Sequence, residues 1–145
     1  MILLLDIDGV MVPQKSWKQP EILEDGFPAF SHFAVEALNG LIDSDTKIFI
    51  TSSHKSSYRP HEWQAIFKTR GIKHCSIYRL PENTNNTSRK EEILNWFEFQ
   101  NIIESYLILD DDTSLQGLPK NLKDNLIQTS PMIGLRNSDL PQILF

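Results

Sequence analysis

Short apolar runs alternate along the chain with segments in which apolar residues recur every three or four positions. The runs are typical of strands buried on both faces, and the periodic segments are typical of amphipathic helices that cover a sheet. The predicted strands are residues 1–5, 47–50, 72–78, 105–109 and 125–129. The predicted helices are residues 28–43, 60–70 and 88–99, with a further short helix near the C-terminus. This order predicts a three-layer, Rossmann-like α/β domain with a parallel sheet, whose functional residues lie at the carboxyl ends of the strands.

A stretch without periodicity follows the first predicted strand. Residues 11–27 contain Pro13, Pro20 and Gly26, residue types that interrupt helices and strands. We therefore expect residues 11–27 to form a loop, called the flap below, near the carboxyl end of the first strand.

The size and composition are those of one globular domain. The chain has 145 residues, of which 40% are hydrophobic and 23% charged, so a disordered, collagen-like or coiled-coil protein is excluded. A single cysteine, Cys75, excludes an internal disulfide framework and a multi-cysteine zinc site. No apolar run approaches the roughly 18 residues that span a bilayer, and the N-terminal run is too short for a signal peptide. The sequence predicts one cytoplasmic domain over residues 1–145.

The charge is unevenly distributed along the chain. The formal net charge is −5, which by itself gives no reason to expect a nucleic-acid ligand. Residues 46–90, however, hold nine Lys or Arg and only two Glu. Such a segment is either an ordinary solvated face or a surface that attracts phosphate-rich substrates.

Acidic and hydroxyl side chains follow three of the predicted strands, and two basic residues open a predicted helix. These candidates are Asp6, Asp8, Thr51, Ser52, Arg89, Lys90, Asp110, Asp111 and Asp112. Because parallel strands end at one edge of the sheet, we expect the candidates to converge there. Crowded carboxylates repel one another unless a cation joins them, and oxygen ligands without His or Cys favour Mg²⁺. With a hydroxyl and a basic side chain beside them, they would cradle a phosphoryl group.

Four of these elements resemble the motifs of the haloacid dehalogenase (HAD) superfamily, and they occur in the same order. Asp6-Ile7-Asp8-Gly9-Val10 after an apolar strand resembles the first motif, and Thr51 after Ile48-Phe49-Ile50 resembles the second. Lys90 at a helix start resembles the third motif, and Asp110-Asp111 resembles the fourth. The resemblance covers about 130 residues. It implies a HAD-like phosphatase. Only residues 11–27 are placed to cover its site, and nothing between Thr51 and Lys90 is long enough for a large cap domain.

The resemblance also implies a role for each motif residue. Asp6 would be the nucleophile that forms an aspartyl-phosphate, and Asp8 would act as general acid and then as general base. Thr51 would bind a phosphoryl oxygen, and Lys90 would neutralise Asp6 and the phosphate. Mg²⁺ would be held by Asp6, the carbonyl of Asp8 and one fourth-motif aspartate. Asp111 is preferred for this role over Asp110.

Three of these assignments have alternatives that spacing alone leaves open. Ser52 would replace Thr51 if the strand ended one residue later. Arg89 would serve in place of Lys90, because either cation suffices electrostatically. Asp110, Asp111 and Asp112 are not ranked firmly by their positions.

An uncapped site would admit large substrates such as phosphorylated nucleic-acid ends. Lys15 and Lys18 on the flap would then meet phosphates, and Trp17 would stack on a base unless it simply packs the flap. The layout is similar to the HAD domains placed in Swiss Army Knife RNA-repair proteins, which are predicted to process phosphate ends of RNA. In those domains an aromatic and a basic residue usually follow the second motif. Here Ser53 and His54 follow it, and His54 or Lys55 would supply that contact.

Other functions fit parts of this pattern. A receiver domain also combines aspartates, a hydroxyl and a lysine, but its acidic pair follows the first strand and its phosphorylated aspartate the third, an order not found here. A small-molecule phosphatase, a phosphotransferase and a non-catalytic binding module of the same superfamily remain alternatives. The physiological substrate and the oligomeric state do not follow from the sequence.

Overall fold

The computed structural model describes residues 1–141 and contains a parallel sheet of five strands in the order β3-β2-β1-β4-β5. The strands are β1 (Ile2–Leu5), β2 (Lys47–Ile50), β3 (Ser76–Arg79), β4 (Tyr106–Asp110) and β5 (Leu126–Gln128). Successive strands run outward from β1 on one side, and the chain then crosses to the other side of β1 to form β4 and β5. The crevice beside β1 is therefore the switch point at which open α/β sheets bind their ligands.

Helices cover both faces of the sheet. They are α1 (His32–Leu41), α2 (Pro60–Thr69), α3 (Arg89–Phe99) and the short α4 (Lys120–Lys123), with single 3₁₀ turns at Lys55–Ser57, Thr113–Gly117 and Asn137–Asp139. Each face of the sheet packs against its own apolar cluster, because successive residues of a strand point to opposite sides. Leu3 and Leu5 belong to one cluster, and Ile2 and Leu4 to the other. The predicted α/β fold without a large cap domain is confirmed.

Some element boundaries differ from the sequence prediction. β3 begins at Ser76 rather than at residue 72, since Ile72 still bonds back to α2 and the amide of Lys73 bonds the side chain of Asn39. α1 begins at His32 rather than at residue 28, because the amides of Ala29 and Ser31 bond the flap region instead. The short C-terminal helix is only a 3₁₀ turn within the described residues, and α4 was not predicted. Residues 142–145 of the predicted domain lie outside the described part of the chain.

The end of the flap is fixed to α2 by one arginine. The guanidinium of Arg70 donates to both carboxylate oxygens of Asp25 at 2.7 and 2.9 Å and to the carbonyls of Phe27 and Pro28 at 2.9 Å. It also lies over the ring of Phe30, 5.2 Å from its centroid. The hydrogen bonds from Arg70 hold the pKa of Asp25 below its usual range. The flap is therefore attached to the body of the domain and does not hang free.

No helix in residues 1–141 is long and apolar enough to cross a membrane.

Candidate active site

Three carboxylates meet at the carboxyl edge of the sheet, beside the switch point. Asp6 directly follows β1, Asp110 ends β4, and Asp111 comes next. Asp6 and Asp110 are buried and Asp111 is half-buried. One oxygen from each of the three lies within 4.8 Å of the others. Two neighbouring parallel strands produce this cluster, because the paired residues Leu5 and Leu109 bring the residues that follow them together.

Burial and mutual repulsion make this cluster unfavourable when it stands alone. Burial and the charge of Asp110 raise the pKa of Asp6 to about 9, although the Arg89 guanidinium opposes the shift. Burial also raises the pKa of Asp111. Hard carboxylate oxygens at this spacing suit Mg²⁺, and a divalent cation would remove the repulsion that raises these pKa values. The residues present therefore fit a magnesium ion.

Arg89, at the start of α3, supplies the positive charge at this cluster. Its Nη1 lies 2.6 Å from Asp110 Oδ2, 3.5 Å from Asp6 Oδ1 and 3.5 Å from Thr51 Oγ1. The neighbouring Lys90 points elsewhere, with its Nζ against Gly117. Successive residues on a helix are rotated by about 100°, so only one of the two can face the strand ends. The structure thus places Arg89, and not Lys90, where the resemblance expected a lysine.

Arg89 also contacts Glu92, which in turn is bound by Lys55. Glu92, one turn later on α3, lies 3.8 Å from Arg89 Nε and accepts a hydrogen bond of 2.9 Å from the buried Lys55. Lys55 follows the second motif, but it points to Glu92 rather than to the carboxylate cluster. Sequence reasoning missed Glu92, and its one signal was the i,i+3 spacing from Arg89.

Asp8 stands at the rim of the site with a partner on each oxygen. His54 Nε2 lies 2.8 Å from Asp8 Oδ2, and the Gln14 side-chain amide donates to Asp8 Oδ1 at 3.4 Å. His54 in turn packs edge-on against Phe27. The structure therefore brings His54 to Asp8, whereas the sequence placed it among the substrate-binding residues.

The comparison with protein families agrees with this geometry. A family model described as the HAD domain in Swiss Army Knife RNA repair proteins matches residues 2–140. The chain belongs to this family. Neither a curated protein nor a solved structure gives a significant match to the sequence.

In this HAD domain, the loop after β1 is held in place by residues 129–136, called the C-terminal segment below. Gly9 has a φ of +81°, which favours glycine, and a side chain there would overlap the carboxylate of Asp111. The hydroxyl of Thr129 donates to the carbonyl of Gly9 at 2.7 Å, and the amide of Leu135 donates to the carbonyl of Val10 at 2.8 Å. The conformation that presents Asp6 and Asp8 thus depends on residues that follow β5.

In this HAD domain, the positions of Ser52 and Asp112 differ from those of Thr51 and of the other fourth-motif aspartates. Ser52 is fully buried, and its oxygen accepts a hydrogen bond from the His54 amide, so it shapes the turn after β2 and leaves Thr51 at the site. Asp112 accepts from the Ser114 amide and begins the 3₁₀ turn that follows, which separates it from Asp110 and Asp111.

Lys15 and Trp17 lie on the outside of the HAD domain, within the flap. Both are exposed, and 70% of Trp17 is accessible, so Trp17 does not pack the flap. Neither residue contacts the carboxylate cluster in the described structure. The amide of Gln14, next to Lys15, bonds the carbonyl of Pro131. The start of the flap therefore runs between the rim of the site and the C-terminal segment.

The basic segment at residues 46–90 of the HAD domain is not one open surface. Its basic side chains are largely used in internal contacts: Lys47 pairs with Glu104, Lys55 with Glu92, Arg70 with Asp25 and Arg89 with Asp110, and Arg79 donates to the carbonyl of Tyr58. Five of its nine basic residues are thus used in contacts within the domain, which reduces the charge that this segment offers to a phosphate-rich substrate. Many of its charges stabilise the fold and the site.

Proposed function

We propose that this HAD domain is a Mg²⁺-dependent phosphohydrolase that works through an aspartyl-phosphate on Asp6, with phosphorylated nucleic-acid ends as its substrates. The observation that carries the proposal is the buried Asp6, set among Asp110 and Asp111 within 4.8 Å and facing Arg89 at 3.5 Å. Membership of a family placed in RNA repair proteins supports the nucleic-acid substrate.

The proposed ion would be held by Asp6, by Asp111 with Asp110 beside it, and by the backbone carbonyl of Asp8. When bound, Mg²⁺ would offset the repulsion that raises the pKa of Asp6, keep that carboxylate ionised, and neutralise charge on the phosphoryl oxygens.

The chain's own residues would carry out two displacements at phosphorus. In the first, a carboxylate oxygen of Asp6 forms a bond to phosphorus while the bond to the leaving oxygen breaks, and Asp8 gives that oxygen a proton. In the second, Asp8 takes a proton from water as the water oxygen attacks phosphorus and the bond to Asp6 breaks. Phosphate is released and both aspartates return to their starting state.

Arg89, Thr51 and His54 would support these steps without forming bonds to phosphorus. The guanidinium of Arg89 and the hydroxyl of Thr51 lie 3.5 Å apart, so both can donate to oxygens of one phosphoryl group. His54 would hold Asp8 in position through the contact at 2.8 Å. Glu92 and Lys55 would keep Arg89 oriented.

The proposal is tested by phosphate release from an aryl phosphate and from an RNA oligonucleotide with a terminal phosphate. We expect release in the presence of Mg²⁺, its loss in a chelator and its return when Mg²⁺ is restored. Quenched reactions should contain a hydroxylamine-sensitive phosphate on the peptide that contains Asp6. Release that does not depend on metal, or a phosphate found on another residue, would refute the mechanism. Faster turnover of small sugar phosphates than of oligonucleotides would refute the proposed substrate.

Arg89 and Lys90 offer a matched pair for testing the charge at the site. We expect Arg89→Met to lower kcat/KM by about 10²-fold or more, because it removes the positive charge at Asp6 and the developing phosphoryl charge. Lys90→Met, which removes the same charge one residue away, should stay within about twofold of the wild type. The measurement is steady-state hydrolysis of an aryl phosphate at saturating Mg²⁺. A larger loss in the Lys90 variant than in the Arg89 variant would contradict this placement.

A further inference from the structure

A groove of about 520 Å³ lies beside the start of the flap and is separate from the carboxylate cluster. Its walls come from the flap, the beginning of α1 and the C-terminal segment. The lining residues that bear on its chemistry are Lys15, Lys18, Ser31, Phe33 and Arg136. α1 begins at the same sheet edge at which the strands end, because it runs antiparallel to them. The groove therefore opens on the side of the domain that carries Asp6 and Asp8.

The groove contains three basic side chains against one acidic side chain. Lys15, Lys18 and Arg136 line it together with Glu21. None of the three basic groups forms a salt bridge within residues 1–141, in contrast to the paired basic residues of the segment from 46 to 90. Their charge is thus available to an anionic ligand, although the net charge of the chain is −5.

Arg136 carries a buried donor without a partner. Its Nε is enclosed and makes no hydrogen bond with any residue of the described chain. Its guanidinium lies over the ring of Phe33, 3.9 Å from the centroid, and is held there by that contact. Because Nε is enclosed, the rest of the guanidinium, which forms no salt bridge within residues 1–141, is the part that can meet an anion in the groove.

The start of α1 adds further donors to the same groove. Ser31 precedes the helix but makes no side-chain capping bond, so no side chain caps the first-turn amides of this ten-residue helix. Ser31, His32 and Phe33 all line the groove. Together with Arg136 and the lysines, these amides form an anion-binding wall.

Aromatic residues accompany these donors along the chain. Phe33 lines the groove, but its ring already packs against the Arg136 guanidinium and the His32 ring. Trp17 is 70% accessible and lies in the chain between Lys15 and Lys18, which both line the groove. Phosphate-binding groups interleaved with exposed rings are the combination that single-stranded nucleic acids need, since bases stack on the rings while the backbone meets the charges. A phosphopeptide or a free phosphate would have no use for the rings.

The groove adjoins Gln14 in the chain, and Gln14 contacts the candidate active site. Gln14 bonds Asp8 on one side, and the next residue, Lys15, lines the groove. A strand whose terminal phosphate reached Asp6 would therefore pass Gln14 and enter the groove with its preceding nucleotides.

We propose that this groove binds the single-stranded polynucleotide that leads to the terminal phosphate at Asp6. The inference rests on the proposed function, because it gives that function's substrate a path along the surface. Lys18 and Arg136 contact backbone phosphates, and Trp17 receives a base.

The test measures the binding of a fluorescein-labelled single-stranded RNA of twelve nucleotides with a 3′-phosphate to the full chain in a chelator. The variant Lys18→Gln/Arg136→Gln should raise the Kd at least about 10-fold. It should also reduce the slope of log K against log salt concentration by about 1.4, or about 0.7 for each lost phosphate contact. The control Lys68→Gln/Lys123→Gln removes the same charge from exposed positions on α2 and α4 and should stay within about twofold.

Three results would overturn the inference. They are an unchanged Kd in Lys18→Gln/Arg136→Gln, an equal loss in the control variant, and displacement of the RNA by an acidic phosphopeptide as effectively as by unlabelled RNA. Should the Arg136 substitution prevent folding, the pair Lys15→Gln/Lys18→Gln carries the same expectation. Binding is measured without metal or turnover, so a failure here leaves phosphate release from an aryl phosphate untouched. Absence of that release would in turn leave the binding result standing.

Discussion

Replacing Asp6 by asparagine should lower the rate of phosphate release by about 10³-fold or more, while the protein remains folded. Asparagine has the shape of aspartate but cannot form the bond to phosphorus, so the nucleophile is lost with little change in packing. Release of phosphate from an aryl phosphate at saturating Mg²⁺ is the measurement.

The same substitution should stabilise the metal-free fold at alkaline pH. The pKa of Asp6 is raised from 3.8 to about 9 in the metal-free fold, so the folded state binds a proton that the unfolded state releases. Stability should therefore fall as the pH rises through this window. Asp6→Asn removes that dependence, so in a chelator at pH 8 the variant should melt at a higher temperature than the wild type.

The matched control is Asp45→Asn, at an exposed position before β2, near the opposite edge of the sheet. It should change neither the rate nor the melting temperature appreciably. Full phosphate release by Asp6→Asn would show that another residue is the nucleophile. A lower melting temperature would show that Asp6 is not repelled by its neighbours.

Replacing Arg70 by methionine should destabilise the fold by about 3 kcal/mol, because it removes a buried guanidinium together with its hydrogen bonds to several backbone carbonyls. Methionine fills part of the volume but leaves the carbonyls of Phe27 and Pro28 without donors and Asp25 without its partner. Arg70→Lys keeps the charge but not the two-pronged contact, so it should fall between methionine and the wild type. Urea-induced unfolding at neutral pH measures the difference.

The contribution of the Arg70–Asp25 ion pair to this loss of stability can be recognised from its dependence on pH. Because Arg70 lowers the pKa of Asp25 in the folded state, the pair contributes stability above the ordinary value of 3.8 and loses it as the pH falls through the lowered pKa. The difference between the wild type and Arg70→Met should therefore shrink in acid. Arg59→Met, at an exposed position just before the same helix, is the control and should cost little. A difference that stays constant down to pH 2 would assign the effect to packing alone.

Much of the fold was predictable because each strand is an apolar run with polar residues at its carboxyl end. The convergence of Asp6, Thr51 and Asp110 followed from that pattern, since parallel strands share an edge. The choice between Arg89 and Lys90 did not follow, because it depends on the rotation of α3 about its axis, which adjacent basic residues do not reveal.

Pairings between distant residues were the other gap. Lys55 and Glu92 are 37 positions apart, and the composition of residues 46–90 gave no sign that its charges would be used inside the fold. The sequence placed Lys15 and Lys18 near phosphates but gave no sign of Arg136, which joins them in the groove from the other end of the chain. Only the tertiary structure brings these side chains together.

The hydrogen bond from Thr129 to Gly9 joins positions 120 residues apart. During synthesis, the first motif leaves the ribosome long before the residue that fixes its loop. β1 therefore has no β4 to pair with until most of the chain has been made. During that time β1 and Asp6 are accessible to other chains. A newly made chain would be most prone to aggregation in this interval, and slow folding dominated by long-range contacts would prolong it.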